Sequence, residues 1–340
     1  LIGDSHEGVI EGAELAGEED CSDEETARFH EAAVFARVAP ENKLDLIALH
    51  QQAGSIVAMT GDGVNDAPAL QAADIGVAMG KRGTQVAREA ADMVLRDDNF
   101  TSIYHAIREG RIIFRNIRRF VLYLLSCNLS ELLTILFASL LGFPLPLLPL
   151  QILFLNIVND IFPAFALGAS GGSEEIMDRP PRDPDEPILT RTVWTELGLY
   201  GTLIAIATIV AFVVGARMHP GGMSSRTVVT MSFLTLAFAQ LWHVFNMREL
   251  GSGLLRNEVT ANRYVWGALG LSSLLVVATL YLPGVSLALK TTPIGLDSWA
   301  VVLGASLLPL LIGQVGLELR SRFGTPAVGT WLETAIGRET

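Results

Sequence analysis

Hydrophobic and polar positions change their rhythm near residue 100. Before it, short apolar runs alternate with helical spacing. Ala33–Pro40 reads as a buried strand stopped by Pro40, and Glu41–Gln52 carries Leu44, Ile47 and Ala48 on one helical face. Ser55–Thr60 reads as a second strand, Ala67–Asp74 as a helix with Asp66 at its N-cap and Pro68 in its first turn, and Gly76–Met79 as a third strand. Strands alternating with helices predict a parallel sheet. Residues 1–33 are polar and weakly periodic, and the Glu18–Glu25 charge run reads as a solvated loop or helix face.

Beyond residue 100 a basic helix, Ile103–Arg119, leads into Phe120–Leu141, an apolar run long enough to cross ~30 Å of hydrocarbon. Further spans are expected at Leu147–Ala169, Val193–Ala216, Thr227–Asn246, Tyr264–Leu282 and Ser298–Val315. Gly142–Pro146 is so short that the first two spans must form a hairpin. The Arg108–Arg119 cluster, Arg179, Arg182, Arg191, Arg248, Arg256, Arg263, Arg320 and Arg322 fall on one side, against Arg217, Arg226 and Lys290 on the other. That asymmetry makes the first side, with the α/β domain and the C-terminus, cytoplasmic. The expected organisation is an α/β domain over 1–99, a stalk helix over 100–119, six spanning helices over 120–316 and a tail over 317–340.

Composition sharpens this division. Residues 1–99 carry 20 acidic and 7 basic side chains and the remainder 16 and 17, giving the chain its net charge of −12. No basic footprint for nucleic acid is present. Cys21 and Cys127 lie far apart, so neither a disulfide framework nor a zinc site is indicated.

Candidate chemistry sits in two places. Thr60, Gly61, Asp62, Gly63, Asn65 and Asp66 form a tight turn at the C-terminal end of a parallel strand, where open α/β sheets bind ligands. Hard carboxylate oxygens there suit Mg²⁺, and a following helix N-terminus suits phosphate. In the membrane, Asn128 and Glu131 lie one turn apart in the first span, and Asn156, Asn159 and Asp160 share a face of the second, ahead of Pro163. Ionisable groups at that depth are costly and mark function. Facing each other across the hairpin, these five side chains would make an oxygen-rich cage for a hard cation such as Ca²⁺. Bundle hydrogen bonding by Asn and Ser is the plainer alternative.

Thr60–Pro68, continued through Gly80, resembles the hinge signature of P-type cation-transporting ATPases, and Phe35–Lys43 resembles the segment holding their active-site lysine. Ser126–Glu131 and Leu155–Pro163 resemble the fifth and sixth membrane helices of the calcium-pump-like members, and Glu175–Pro187 the cytoplasmic loop that follows. The resemblance implies a haloacid-dehalogenase-like phosphorylation domain followed by a six-helix membrane bundle. It implies Mg²⁺ on Asp62, ordering of the phosphoryl site by Asn65 and Asp66, charge stabilisation by Lys43, and ATP as substrate. It further implies cation ligation by Asn128, Glu131, Asn156, Asn159, Asp160 and Gln240. Asn159 and Gln240 replace a threonine and a glutamate of the calcium pump, so two carboxylates remain and one transported Ca²⁺ is expected. The family's phosphorylated aspartate lies in Asp-Lys-Thr-Gly-Thr, and no Asp-Lys pair occurs here. The chain is therefore expected to be the C-terminal portion of a pump, inactive alone, whose partners are the bilayer and the upstream nucleotide-binding, actuator and first four membrane-helix parts. Other readings are a pump for Mn²⁺ or a monovalent cation, a membrane-anchored phosphatase of the haloacid-dehalogenase type, and a truncated non-catalytic membrane protein.

Overall fold

The computed structural model describes residues 9–12, 27–29, 32–172, 174–178, 180–183 and 186–323. The Glu18–Glu25 run and residues 324–340 of the expected tail lie outside the described residues. The chain divides into two compact units, Leu1–Arg108 and Glu109–Thr340.

The first unit is α/β. Strands β1 (Val9–Glu11) and β2 (Val34–Ala36) pair in parallel. Helix α1 (Pro40–Gln52) starts at a proline, whose missing N–H costs nothing in a first turn, and Asn42 Oδ1 accepts the Ala39 N–H at 3.2 Å. Strand β3 (Ala58–Gly61) then pairs in parallel with β4 (Ile75–Met79), and β4 with β5 (Met93–Leu95). Helix α2 (Ala67–Ala72) joins β3 to β4, and α3 (Gln85–Ala90), capped by the Thr84 hydroxyl on the Ala87 N–H, joins β4 to β5. Leu70, Ala78 and Ala87 bury one face of this sheet, and Val77, Met79 and Leu95 the other. The parallel sheet is as expected. The pairing falls into two sheets, β1–β2 and β3–β4–β5, and strands β1 and β5 are three residues each, too short for alternation to reveal.

The second unit is helical, and the chain has six helices long and apolar enough to cross a membrane among the described residues. The basic helix and the first span are one element, α4 (Thr101–Leu140). The second span is interrupted: α5 (Pro149–Phe154), one π-wound turn (Leu155–Asn159) and α6 (Ile161–Gly168). Then follow α7 (Arg191–Met218), α8 (Arg226–His243), α9 (Arg263–Tyr281), the short α10 (Pro283–Leu289) and α11 (Leu296–Phe323). Helix α8 is sheathed by neighbours along nearly its whole length; Met231, Phe233, Leu234, Leu236 and Leu241 are fully covered, so it is the core of the bundle. Helix α11 runs on to Phe323, so 317–323 is helix where a tail was expected.

Candidate functional site

The turn after β3 is built around Asp66. Gly61 closes the strand, Val64–Asp66 forms a single 3₁₀ turn, and α2 begins at Ala67. Asp66 stands at the N-cap position of α2, but its side chain does not cap that helix. It turns back over the loop, where Oδ2 accepts the N–H of Asp62 at 3.2 Å and of Gly63 at 3.0 Å. Its Oδ1 accepts from Lys43 Nζ at 2.6 Å. This return explains the glycine at 61, where a Cβ would stand 2.5 Å from Asp66 Cβ. Burial raises the Asp66 pKa, but the Lys43 ammonium and the two amides outweigh it and hold the carboxyl below its ordinary value of 3.8. Asp66 is thus a buried anion fixed by three donors, with Lys43 fixed beside it. Asp62 and Asn65 are exposed on the same turn, and Thr60 lies half-buried at the strand end. Of the loop's two carboxylates, only that of Asp62 points outward.

The membrane cluster forms where the second span loses its regular winding. In the π turn the Asp160 N–H reaches back five residues to the Leu155 carbonyl at 3.0 Å. Pro163 has no N–H to give to the Asn159 carbonyl four residues earlier. The extra residue per turn brings Asn156, Asn159 and Asp160 to α4 and α8 together. Asn156 Nδ2 donates to Glu131 Oε2 at 2.9 Å. Gln240 Nε2 donates to Glu131 Oε1 at 3.1 Å, and Asn159 Nδ2 donates to Gln240 Oε1 at 3.1 Å and Asp160 Oδ1 at 3.4 Å. Glu131 is 4% exposed, Asp160 1%, and Asn159 and Gln240 0%. Two buried acceptors, Asn159 Oδ1 and Asp160 Oδ2, have no hydrogen-bond donor among the described residues. Such oxygens are costly in an apolar bundle unless something electropositive meets them.

Five of the six expected cation ligands therefore meet. Asn128 does not: it is exposed and returns its amide to the Leu124 carbonyl of its own helix at 2.8 Å. Residues three apart on a helix lie about 60° apart around the axis. Glu131 is on the side that α8 covers, and Asn128 is past its edge. Reading from sequence missed the buried polar residues beside the cluster, Tyr123, Ser126 and His243. The Tyr123 hydroxyl, Ser126 Oγ and His243 Nε2 have no hydrogen-bond partner among the described residues, and the Tyr123 and His243 rings stack at 5.9 Å. Their signal was available, since Gln240 and His243 stand at i, i+3 in an apolar helix.

Comparison with known proteins adds lineage to this geometry. Residues 144–317 match a family described as the C-terminus of cation transporting ATPases, and residues 45–107 match haloacid dehalogenase-like hydrolases. A calcium-transporting ATPase of Bacillus subtilis is 46% identical over 284 residues, which cover 83% of this chain and 32% of that protein. Calcium-transporting ATPase 1 of Bacillus cereus is 37% identical over 321 residues, covering 90% and 36%. A probable cation-transporting ATPase F of Mycobacterium tuberculosis is 39% identical over 319 residues, covering 94% and 35%. The chain spans about a third of the length of these relatives.

Proposed function

This chain belongs to the P-type cation-transporting ATPases, as a C-terminal portion, and from that premise we propose that the complete protein uses ATP to move Ca²⁺ across a membrane through an aspartyl-phosphate. The observation that carries the reading is the cluster that Asn156, Asn159 and Asp160 of the interrupted span form with Glu131 of α4 and Gln240 of α8, buried except for the half-buried Asn156. Two carboxylates and three amides offer oxygen donors only, which suit a hard cation. Several kcal/mol of desolvation per anion demand either a cation or protons in that place. The calcium-transporting relatives support Ca²⁺ as the cargo. With Gln240 neutral, the two formal charges balance one divalent ion per cycle.

At the catalytic loop the residues present fit Mg²⁺ through one carboxylate. Asp62 projects from the strand end, whereas Asp66 is already engaged by Lys43 and two amides. An ion held by one such oxygen keeps several waters and completes its shell on phosphate. When bound, Mg²⁺ neutralises charge on the transferring phosphoryl group. Lys43 adds a fixed cation beside it, oriented by Asp66, and Asn65 offers an amide on the exposed side of the turn. We assign the phosphoryl acceptor to the part of the pump outside this chain, since no Asp-Lys pair occurs in it. The α/β unit and the C-terminus are assigned to the cytoplasm on the arginine asymmetry.

Equilibrium ⁴⁵Ca²⁺ binding to the complete pump tests the cage. Glu131→Gln combined with Asp160→Asn should abolish high-affinity binding. Unchanged binding in that variant removes the cage assignment, and two ions per phosphorylation site in the wild type refute the one-ion count.

A further inference from the structure

Two consecutive carboxylates stand between β5 and α4 and face different ways. Asp97 serves the helix: its Oδ2 accepts the Ser102 hydroxyl at 2.8 Å and its Oδ1 the Asn99 N–H at 3.2 Å. Asp98 serves a distant loop. Its Oδ1 accepts the N–H of Gly80 at 2.7 Å and of Lys81 at 2.9 Å, and its Oδ2 that of Arg82 at 2.9 Å. Its side chain is 7% exposed, and its backbone is left-handed, with φ 57°. Aspartate is among the few residues besides glycine that adopt that conformation, and the three amides fix its side chain there.

The gripped loop leads directly to the catalytic turn. Gly83 lies so close to the Met79 carbonyl that a Cβ would overlap it, and Arg88 Nη1 holds the Gly80 carbonyl at 3.0 Å. The loop ends at Thr84, whose N–H donates to the Asp62 carbonyl at 2.8 Å. The Asp62 N–H is held separately by Asp66 at 3.2 Å. The backbone of Asp62 is therefore fixed from both sides, and one of those fixings depends on the loop that Asp98 holds.

We propose that Asp98 is a positioning residue for Asp62, acting through the Gly80–Thr84 loop. This rests on the reading of Asp62 as the Mg²⁺ ligand. A positioned carboxylate binds its ion without first being ordered, so loosening the loop should weaken Mg²⁺ use while leaving the cage, built from other residues, intact.

The test uses the complete pump with Asp98→Ala, Asp98→Asn and a control, Asp92→Asn. Asp92 makes a comparable carboxylate–backbone bond, to the Gly76 N–H at 2.8 Å, away from the loop. Two quantities are measured: hydrogen exchange at the Thr84 amide without Mg²⁺, and the Mg²⁺ concentration giving half-maximal phosphoenzyme. Asp98→Ala should raise both severalfold and Asp98→Asn less, with Asp92→Asn at wild-type values and ⁴⁵Ca²⁺ binding unchanged throughout. Wild-type values in the Asp98 variants, or an equal shift in Asp92→Asn, overturn the proposal. Should Asp98→Ala fail to fold, Asp98→Asn decides alone on the same criteria. A wild-type pump that forms no phosphoenzyme overturns the proposed function instead, and Thr84 exchange still decides the positioning role.

Discussion

Lys43 and Asp66 show how one buried anion organises the turn proposed for catalysis. The Asp66 carboxylate receives an ammonium and two backbone amides, and these are the hydrogen bonds seen for the three donors among the described residues. Asp66→Ala should therefore ease local opening of the Asp62–Gly63 turn by about 1–3 kcal/mol, the usual cost of leaving buried donors unpaired. Hydrogen exchange at the Asp62 and Gly63 amides measures it; unchanged protection would contradict the clamp. The pH dependence has a definite sign. A carboxyl whose folded pKa is depressed contributes stability that is complete above its unfolded value and lost as pH falls through the folded one. The two amides, corrected for intrinsic exchange, should stay protected at the ordinary aspartate value of 3.8 and lose protection only below it.

Among the elements, the interrupted second span matters most. Its apolar run was legible as a membrane span, and Asp160 stood out as a charge within it. The winding was not legible, because a π turn depends on which carbonyls the surroundings leave free. The same limit explains Asn128: spacing gives the angle between two residues but not which face the bundle covers. Gln240 reaches Glu131 from 109 positions along the chain, a link no local pattern encodes. In α4 the arginine-rich half and the apolar half read as two elements, although nothing between Thr101 and Leu140 breaks the helix. Pro163→Ala tests the winding directly. Alanine restores the N–H that the Asn159 carbonyl lacks, which favours regular α-helix across Leu155–Asn159. Asn156 and Asp160 would then rotate apart. Ca²⁺ affinity should fall by about tenfold, or 1.4 kcal/mol. An affinity equal to wild type would show that the π turn does not shape the cage.

For the whole molecule, the open question is which way the bundle stands in the membrane. The arginines that indicate orientation are not idle surface charges. Arg115 pairs with Glu249, Arg119 with Glu258 at 2.7 Å, Arg118 with Glu186 at 3.0 Å, and Arg320 with Glu196. They tie the start of the first span to the loops that follow α6 and α8, and the end of α11 to α7. Such pairs contribute to how the loops pack, yet the rule for orientation counts basic residues near span ends whatever they contact in the finished fold. The structural and the topological roles therefore need not conflict, and the asymmetry still supports the proposed orientation with the basic end in the cytoplasm. Two exposed positions separate the sides: Leu255, in the loop between α8 and α9, and Asp297, at the start of α11. One helix, α9, with its short extension α10, lies between them, so an odd number of crossings puts them on opposite faces. In a cysteine-free background of the complete pump, Asp297→Cys should react with an impermeant maleimide added outside intact cells, and Leu255→Cys only after permeabilisation. The reverse pattern would invert the molecule and place the catalytic turn away from cytoplasmic ATP. Labelling of both from outside would mean that α9 does not cross, and the six-span bundle would fall with it.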